Sequence, residues 1–183
     1  MTREQFEHAI RAAGAILRTD SLLVIGSQAL HGSFAEPLPL AATRSVEVDI
    51  AVPNDSDGRR ADLLDGSIGE GSLFHETFGY YAQGVVEQTA TLPDGWRSRL
   101  VRFETPGTNG VVAWCLDPAD LWVSKAIAGR PKALEFCQSL VESGLVEAST
   151  IREQLARVSG LTGEKRSLVE ARLAAWSGRH RNR

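Results

Sequence analysis

The chain has 183 residues, with 20 Lys and Arg against 23 Asp and Glu, a formal net charge of −3 and two cysteines. That length suits one domain with a sizeable core, and 43% hydrophobic with 23% charged residues excludes wholesale disorder. The slightly acidic balance excludes a broadly basic, sequence-reading DNA binder, while leaving room for an enzyme with a local basic cleft.

Residues 2–18 read as an amphipathic helix, with Phe6, Ala9, Ile10, Ala13, Ile16 and Leu17 at helical spacing and Thr2 and Gln5 placed as a capping box. Residues 21–25 form a short apolar run stopped by Gly26, which predicts a buried strand followed by a helix start over Gln28 to His31. Pro37 and Pro39 predict a loop over 34–44. Residues 46–52 alternate strictly, so Val46, Val48, Ile50 and Val52 share one face of a second strand. Helices are expected near 58–64 and 73–78. Strands are expected over 84–92 and 98–103, joined around Pro93-Asp94-Gly95, and again over 111–116. Asp117-Pro118-Ala119-Asp120 combines an N-cap Asp, a Pro at N1 and an acid at N3, the start of a helix that breaks at Gly129-Arg130-Pro131 and resumes to about 143. Two more helices, near 148–158 and 163–176, precede a basic tail over 179–183. The expected organisation is a core over 1–116 with a helical part over 117–178 packed on it.

No apolar run approaches the roughly 18 residues of a membrane span. The charged start Met-Thr-Arg-Glu-Gln carries no apolar targeting segment, and Cys115 and Cys137 make no disulfide framework, so a reducing cytoplasm is expected. His8, His31, His75 and His180 lack metal-ligand spacing, which argues against zinc. The four tryptophans read as core or partner contacts.

Two neighbouring features carry chemistry. A strand running into Gly26-Ser27 and a helix start offers close backbone approach, a hydroxyl and free N–H groups, the parts of a phosphate site. A plain tight turn has the same sequence. Glu47 and Asp49, two apart on one strand, project from the same face. Two carboxylates so placed, ~7 Å apart, repel unless a cation lies between them, and they suit Mg²⁺ shared with substrate phosphates. A solvated acidic strand face is the bland alternative. A phosphate cradle followed about twenty residues later by an acid pair is a nucleotidyltransferase layout.

Gly26-Ser27 and Val46-Glu47-Val48-Asp49-Ile50 together resemble the DNA polymerase β-like nucleotidyltransferase superfamily. The segment from Leu116 to Lys125, followed by Ala128-Gly129-Arg130-Pro131-Lys132, is similar to the "DP-DL--SK--AGR-K" signature of bacterial nucleotidyltransferases, the DUF6036 group and its AbiEii and MenT-type toxin relatives. The likeness spans roughly 21–145 and includes 92–100. It implies an α/β nucleotidyltransferase fold, a small mixed twisted sheet flanked by helices with a helical C-terminal portion. It further implies one or two Mg²⁺ ions on Glu47 and Asp49. The nucleotide would be bound by Gly26, Ser27, Lys125, Arg130 and Lys132, with Lys125 also counted in the catalytic set. Helix-end basic residues that merely complement a dipole are the plainer reading of Lys125, Arg130 and Lys132.

In MenT-type relatives the acceptor is the tRNA 3′ end, so the resemblance implies a toxin with a cognate antitoxin. The chain departs from the pattern at Ala133, where many members carry an acid. A third carboxylate is expected from Glu87, Glu104 or Glu135. Without one, a weak or inactive nucleotide- or protein-binding module is the rival reading. A transferase acting on an aminoglycoside-like small molecule is another.

Overall fold

The computed structural model describes residues 1–180 apart from Glu36, Pro53, Asn54 and Ser56, without the side chains of Gln88, Arg179 and His180. Helix α1 (Arg3–Leu17) opens the chain, and its capping box forms as the sequence predicts, with Thr2 accepting from the Gln5 amide. Strands β1 (Ser21–Val24), β2 (Glu47–Ala51), β3 (Tyr81–Val85), β4 (Val101–Phe103) and β5 (Val112–Cys115) make one mixed sheet in the order β3-β2-β1-β5-β4. The β1–β5 and β2–β3 pairs are parallel; β1–β2 and β4–β5 are antiparallel.

Period-two alternation gives the sheet two unlike faces. Leu22, Val24, Val48, Ile50, Ala82 and Ala113 are buried beneath α1 and α3 (Arg59–Ile68). Phe6 of α1 meets Phe103 of β4 edge-on at 5.2 Å between ring centroids. Glu47 and Asp49 look the other way. Of the four valine and isoleucine positions read as one apolar face, Val46 alone is exposed; it lies just before β2, at the end of the sheet.

Between β1 and β2 run a 3₁₀ turn (Ser27–Gly32) and a short helix α2 (Leu40–Thr43), the latter inside the stretch read as loop. Helix α4 (Leu73–Phe78) precedes β3. The C-terminal helices are α5 (Pro118–Ala128), α6 (Pro131–Glu142), α7 (Ala148–Ala156) and α8 (Gly163–His180). Asp117 caps α5 through the amides of Ala119 and Asp120, and Gly129 closes it at φ +69°, where a side chain would be strained. Helix α8 runs through Arg179 and His180, the first two residues of the expected tail, and Arg181, Asn182 and Arg183 lie outside the described residues. Among the described residues no helix is long and apolar enough to cross a membrane.

The expected hairpin of 84–92 with 98–103 does not form. The first strand lies earlier, at β3, and β3 and β4 occupy opposite edges of the sheet. Gly84 misleads because it sits inside a strand: a Cβ there would meet the Ala61 backbone at 2.6–2.7 Å, so glycine lets α3 pack directly on β3. The Pro93-Asp94-Gly95 turn exists, with Gly95 at φ +77°, yet it serves a crossing segment. Asp94 donates its amide to the Arg157 carbonyl and accepts from the Ser159 hydroxyl at 2.6 Å, which ties the turn to the end of α7.

Candidate active site

Strand β1 delivers the chain to Gly26 beside β2, where the Ile25 amide donates to the Asp49 carbonyl at 3.1 Å. Gly26 is in extended backbone, so its φ asks for no glycine; its surroundings do. A Cβ on Gly26 would overlap the Asp49 carboxyl group. The glycine thus makes room for Asp49 and is itself buried, whereas Ser27, one residue on, lines the cleft. Gly26→Ala should therefore displace the Asp49 carboxylate and cost most of the transfer rate while the sheet survives. Activity measured beside a thermal melt checks this, and full activity in a folded variant would sink it.

Glu47 and Asp49 share the open sheet face, and the electrostatics are those of a crowded acid pair. Burial first, then the neighbouring Asp49, push the Glu47 carboxyl up to about 7. Tyr81 on the adjoining strand donates its hydroxyl to Glu47 Oε2 at 3.3 Å. Its own phenol is raised to about 12, by burial and then by Glu47 and Glu70. Glu70 also adds to the negative field at Glu47, a contribution that no local pattern singles out because Glu70 lies in an irregular loop after α3.

The β2–β3 register pairs Glu47 with Tyr81 and Asp49 with Gln83, so the strand that flanks the pair offers a phenol and an amide where a third acid was sought. The three expected candidates are engaged elsewhere: Glu87 with Arg97, Glu104 with Arg102, and Glu135 with Arg44. Among the described residues no group of three or more His, Cys, Asp or Glu stands ready to hold a metal.

Facing the acid pair is a cationic wall. Lys125 comes from α5, and Arg130, Lys132 and Ala133 from the α5–α6 junction. With Ser27, Ser45, Glu47 and Asp49 they enclose a cleft of about 420 Å³. Lys125 Nζ lies 5.2 Å from the centroid of the Phe136 ring. No carboxylate lies within ion-pair distance of Lys125, Arg130 or Lys132 among the described residues. Helix α6 starts at this wall with no side chain capping it, so its first N–H groups add positive potential there. Ala133 belongs to that first turn and also lines the cleft; an acid in its place would set negative charge against the wall. The structure thus brings Ser27, Glu47, Asp49, Lys125, Arg130 and Lys132 to one cleft and leaves Gly26 behind Asp49.

Arg44, Ala41 and Phe136 line the same cleft and carried no sequence signal. Arg44 ends the proline-containing stretch read as a loop, where it follows α2, and Phe136 looks like any core residue of an amphipathic helix. The remaining motif residues have structural work. Asp120 is fully buried and receives the Arg99 guanidinium in a two-pronged pair, Nε to Oδ2 at 2.9 Å and Nη2 to Oδ1 at 3.0 Å. Cys115 and Cys137 are buried thiols that burial pushes up to about 12, too high for reactivity.

The family model described as a nucleotidyltransferase of unknown function (DUF6036) matches residues 4–172. The chain belongs to that family. No curated protein and no solved structure matches it.

Proposed function

We propose that this DUF6036 nucleotidyltransferase is a Mg²⁺-dependent enzyme that transfers a nucleoside monophosphate from an NTP to an acceptor hydroxyl and releases pyrophosphate. The observation that carries this reading is one cleft holding the Glu47–Asp49 pair opposite three cations, Lys125, Arg130 and Lys132, that have no carboxylate partner among the described residues. Acids alone would suit a cation, and bases alone an anion. Both around one space suit a polyphosphate together with its metal.

The donor set fits Mg²⁺: two hard carboxylates share one sheet face, Asp49 raises the proton affinity of Glu47, and the remaining coordination positions are left to phosphate and water. Bound there, the ion supplies charge stabilisation to the attacking and leaving oxygens. The protein groups do the rest. Ser27, Lys125, Arg130, Lys132 and the α6 N-terminus grip the β- and γ-phosphates and so orient the α-phosphorus. Gly26 acts through Asp49, whose carboxylate it lets lie close to β1. The acceptor hydroxyl oxygen bonds to the α-phosphorus as the bond to the α,β-bridging oxygen breaks; the hydroxyl proton passes to water and the bridging oxygen leaves with the pyrophosphate.

For the acceptor we favour the tRNA 3′ end, and for the biological role a cytoplasmic toxin held in check by a cognate antitoxin. The support is the resemblance of 116–132 and 92–100 to MenT-type and AbiEii toxins. The test offers tRNA, protein and small-molecule acceptors to the purified protein with Mg²⁺ and each labelled NTP in turn. Labelled tRNA is the expected result; label on an aminoglycoside would move the acceptor and keep the chemistry; no label on any acceptor would overturn the reading. Lys125→Ala is expected to raise KM for the NTP about tenfold or more, the loss of one charge-assisted phosphate contact.

Among the described residues no third acid joins the pair as a metal-holding group, which favours one rival, a binding module with little or no transfer. Calorimetry separates them, since the rival requires NTP binding that is indifferent to Asp49→Asn.

A further inference from the structure

We propose that Arg44 is a fourth phosphate-binding cation of the cleft and that Glu135 withholds it until the nucleotide arrives. The inference rests on the nucleotide reading above and adds to it a residue and a latch. Arg44 lines the cleft with Glu47, Asp49 and Lys125, and of the four cations there it alone has a carboxylate partner among the described residues. That partner, Glu135, comes from α6, one residue before Phe136, so the pair bridges the β2 side of the cleft to the wall that carries Lys132.

The two ends of the bridge differ in freedom. The Arg44 backbone is pinned: its amide donates to the Leu40 carbonyl at 3.0 Å, while the Ser45 carbonyl accepts from Gln28 Nε2 at 3.1 Å and from the Met1 amino group at 2.9 Å. The guanidinium is not pinned. The Arg44 and Glu135 side chains are 46% and 58% exposed, and a pair that open to water stabilises its closed form by a factor of about five at most. A triphosphate entering the cleft offers Arg44 a bidentate, charge-assisted alternative in a less hydrated place, which a guanidinium fits better than an ammonium. Phosphate should therefore win the exchange, and Glu135 should turn to solvent. Glu135 thus has a role as a competitor for Arg44, in place of the third metal carboxylate sought from sequence.

The experiment measures Kd by calorimetry in Mg²⁺ for a non-hydrolysable NTP and for inorganic tripolyphosphate. Proteins compared are the wild type, Arg44→Ala, Arg44→Lys, Glu135→Gln, the Arg44→Ala/Glu135→Gln double variant and Lys125→Ala, each with a thermal melt. Arg44→Ala is expected to weaken both ligands about tenfold and Arg44→Lys to recover part of that. Glu135→Gln is expected to tighten both about two- to fivefold, and the double variant to bind like Arg44→Ala alone. If Glu135→Gln weakens binding as Arg44→Ala does, the pair is a strut and the latch is overturned. If Lys125→Ala weakens binding while neither Arg44 variant does, Arg44 is no phosphate ligand and the nucleotide reading stands without it. If the wild type binds neither ligand, the nucleotide reading itself falls and the latch with it.

Discussion

Asp49→Asn should leave a folded protein that has lost nucleotide transfer by on the order of 10³-fold or more. The change is isosteric, Asp49 makes no ion pair among the described residues, and its neighbour Gly26 already leaves room for a group of that shape. What disappears is one of the two carboxylates that, among the described residues, line the cleft and could take a divalent ion. A site with so few protein ligands has none to spare. Titration of Mg²⁺ against thermal stability reads this directly: the melting temperature of the wild type should climb with Mg²⁺, and that of Asp49→Asn should stay flat. Transfer by Asp49→Asn within tenfold of wild type would remove the acid pair from the mechanism.

Glu47 makes metal binding depend on pH. Its carboxyl is raised from 4.5 to about 7, so in the metal-free protein the proton and Mg²⁺ compete for the same oxygens. Half-saturation should move to higher Mg²⁺ as pH falls from 8 to 6, approaching tenfold per pH unit below 7. The sign for stability runs the other way. A raised carboxyl favours the folded state while protonated, so the metal-free chain gives up stability as pH rises from 4.5 through about 7. Glu47→Gln should then stabilise the metal-free protein at pH 8 by roughly 1–2 kcal/mol, allowing for solvent at the cleft mouth, while abolishing the response to Mg²⁺.

What could be read from sequence divides along the range of the forces involved. The α1 capping box, the alternation of β2 and the Asp117-Pro118 start of α5 are set by residues within four positions of one another, and they form where they were expected. Of the six residues that meet in the cleft, Ser27, Glu47 and Asp49 stand out by residue type and local spacing, whereas Lys125, Arg130 and Lys132 were expected chiefly from the resemblance to bacterial nucleotidyltransferases. The failures are tertiary. Gly84 belongs inside β3 because α3 presses on it, and the partner of the Pro93–Gly95 turn is α7, some sixty residues on. Glu135 looked available for metal until Arg44, 91 residues away, claimed it. Asp120 read simply as a helix-start acid, and no local pattern announces that Arg99 is buried against it.

That last pair yields a stability prediction with a built-in asymmetry. Asp120 is wholly inaccessible, while the Arg99 side chain keeps 20% of its surface in solvent. Burial raises the Asp120 carboxyl against the opposing pull of Arg99, as expected of a charge that is held ionised mainly by its partner. Arg99→Ala therefore strands a buried carboxylate and should cost about 3–5 kcal/mol, a fall in melting temperature on the order of 10 °C for a chain of this size. Asp120→Asn should cost less, about 1–2 kcal/mol, because the freed guanidinium can turn toward water and the amide oxygen still accepts from it. The deficit of Arg99→Ala should shrink between pH 7 and pH 5, since without arginine the carboxyl rises further and a proton replaces the lost cation. Equal costs for the two variants, or an Arg99→Ala deficit independent of pH, would show that Arg99 acts through packing alone. Activity is coupled to the same contact: Arg99 also donates to the Asp94 carbonyl at 3.2 Å, and Asp120 lies on the helix that presents Lys125. Arg99→Ala should accordingly raise KM for the NTP below its melting temperature, because the clamp that ties α5 to the turn over Trp96–Arg99 also helps to hold Lys125 over the cleft.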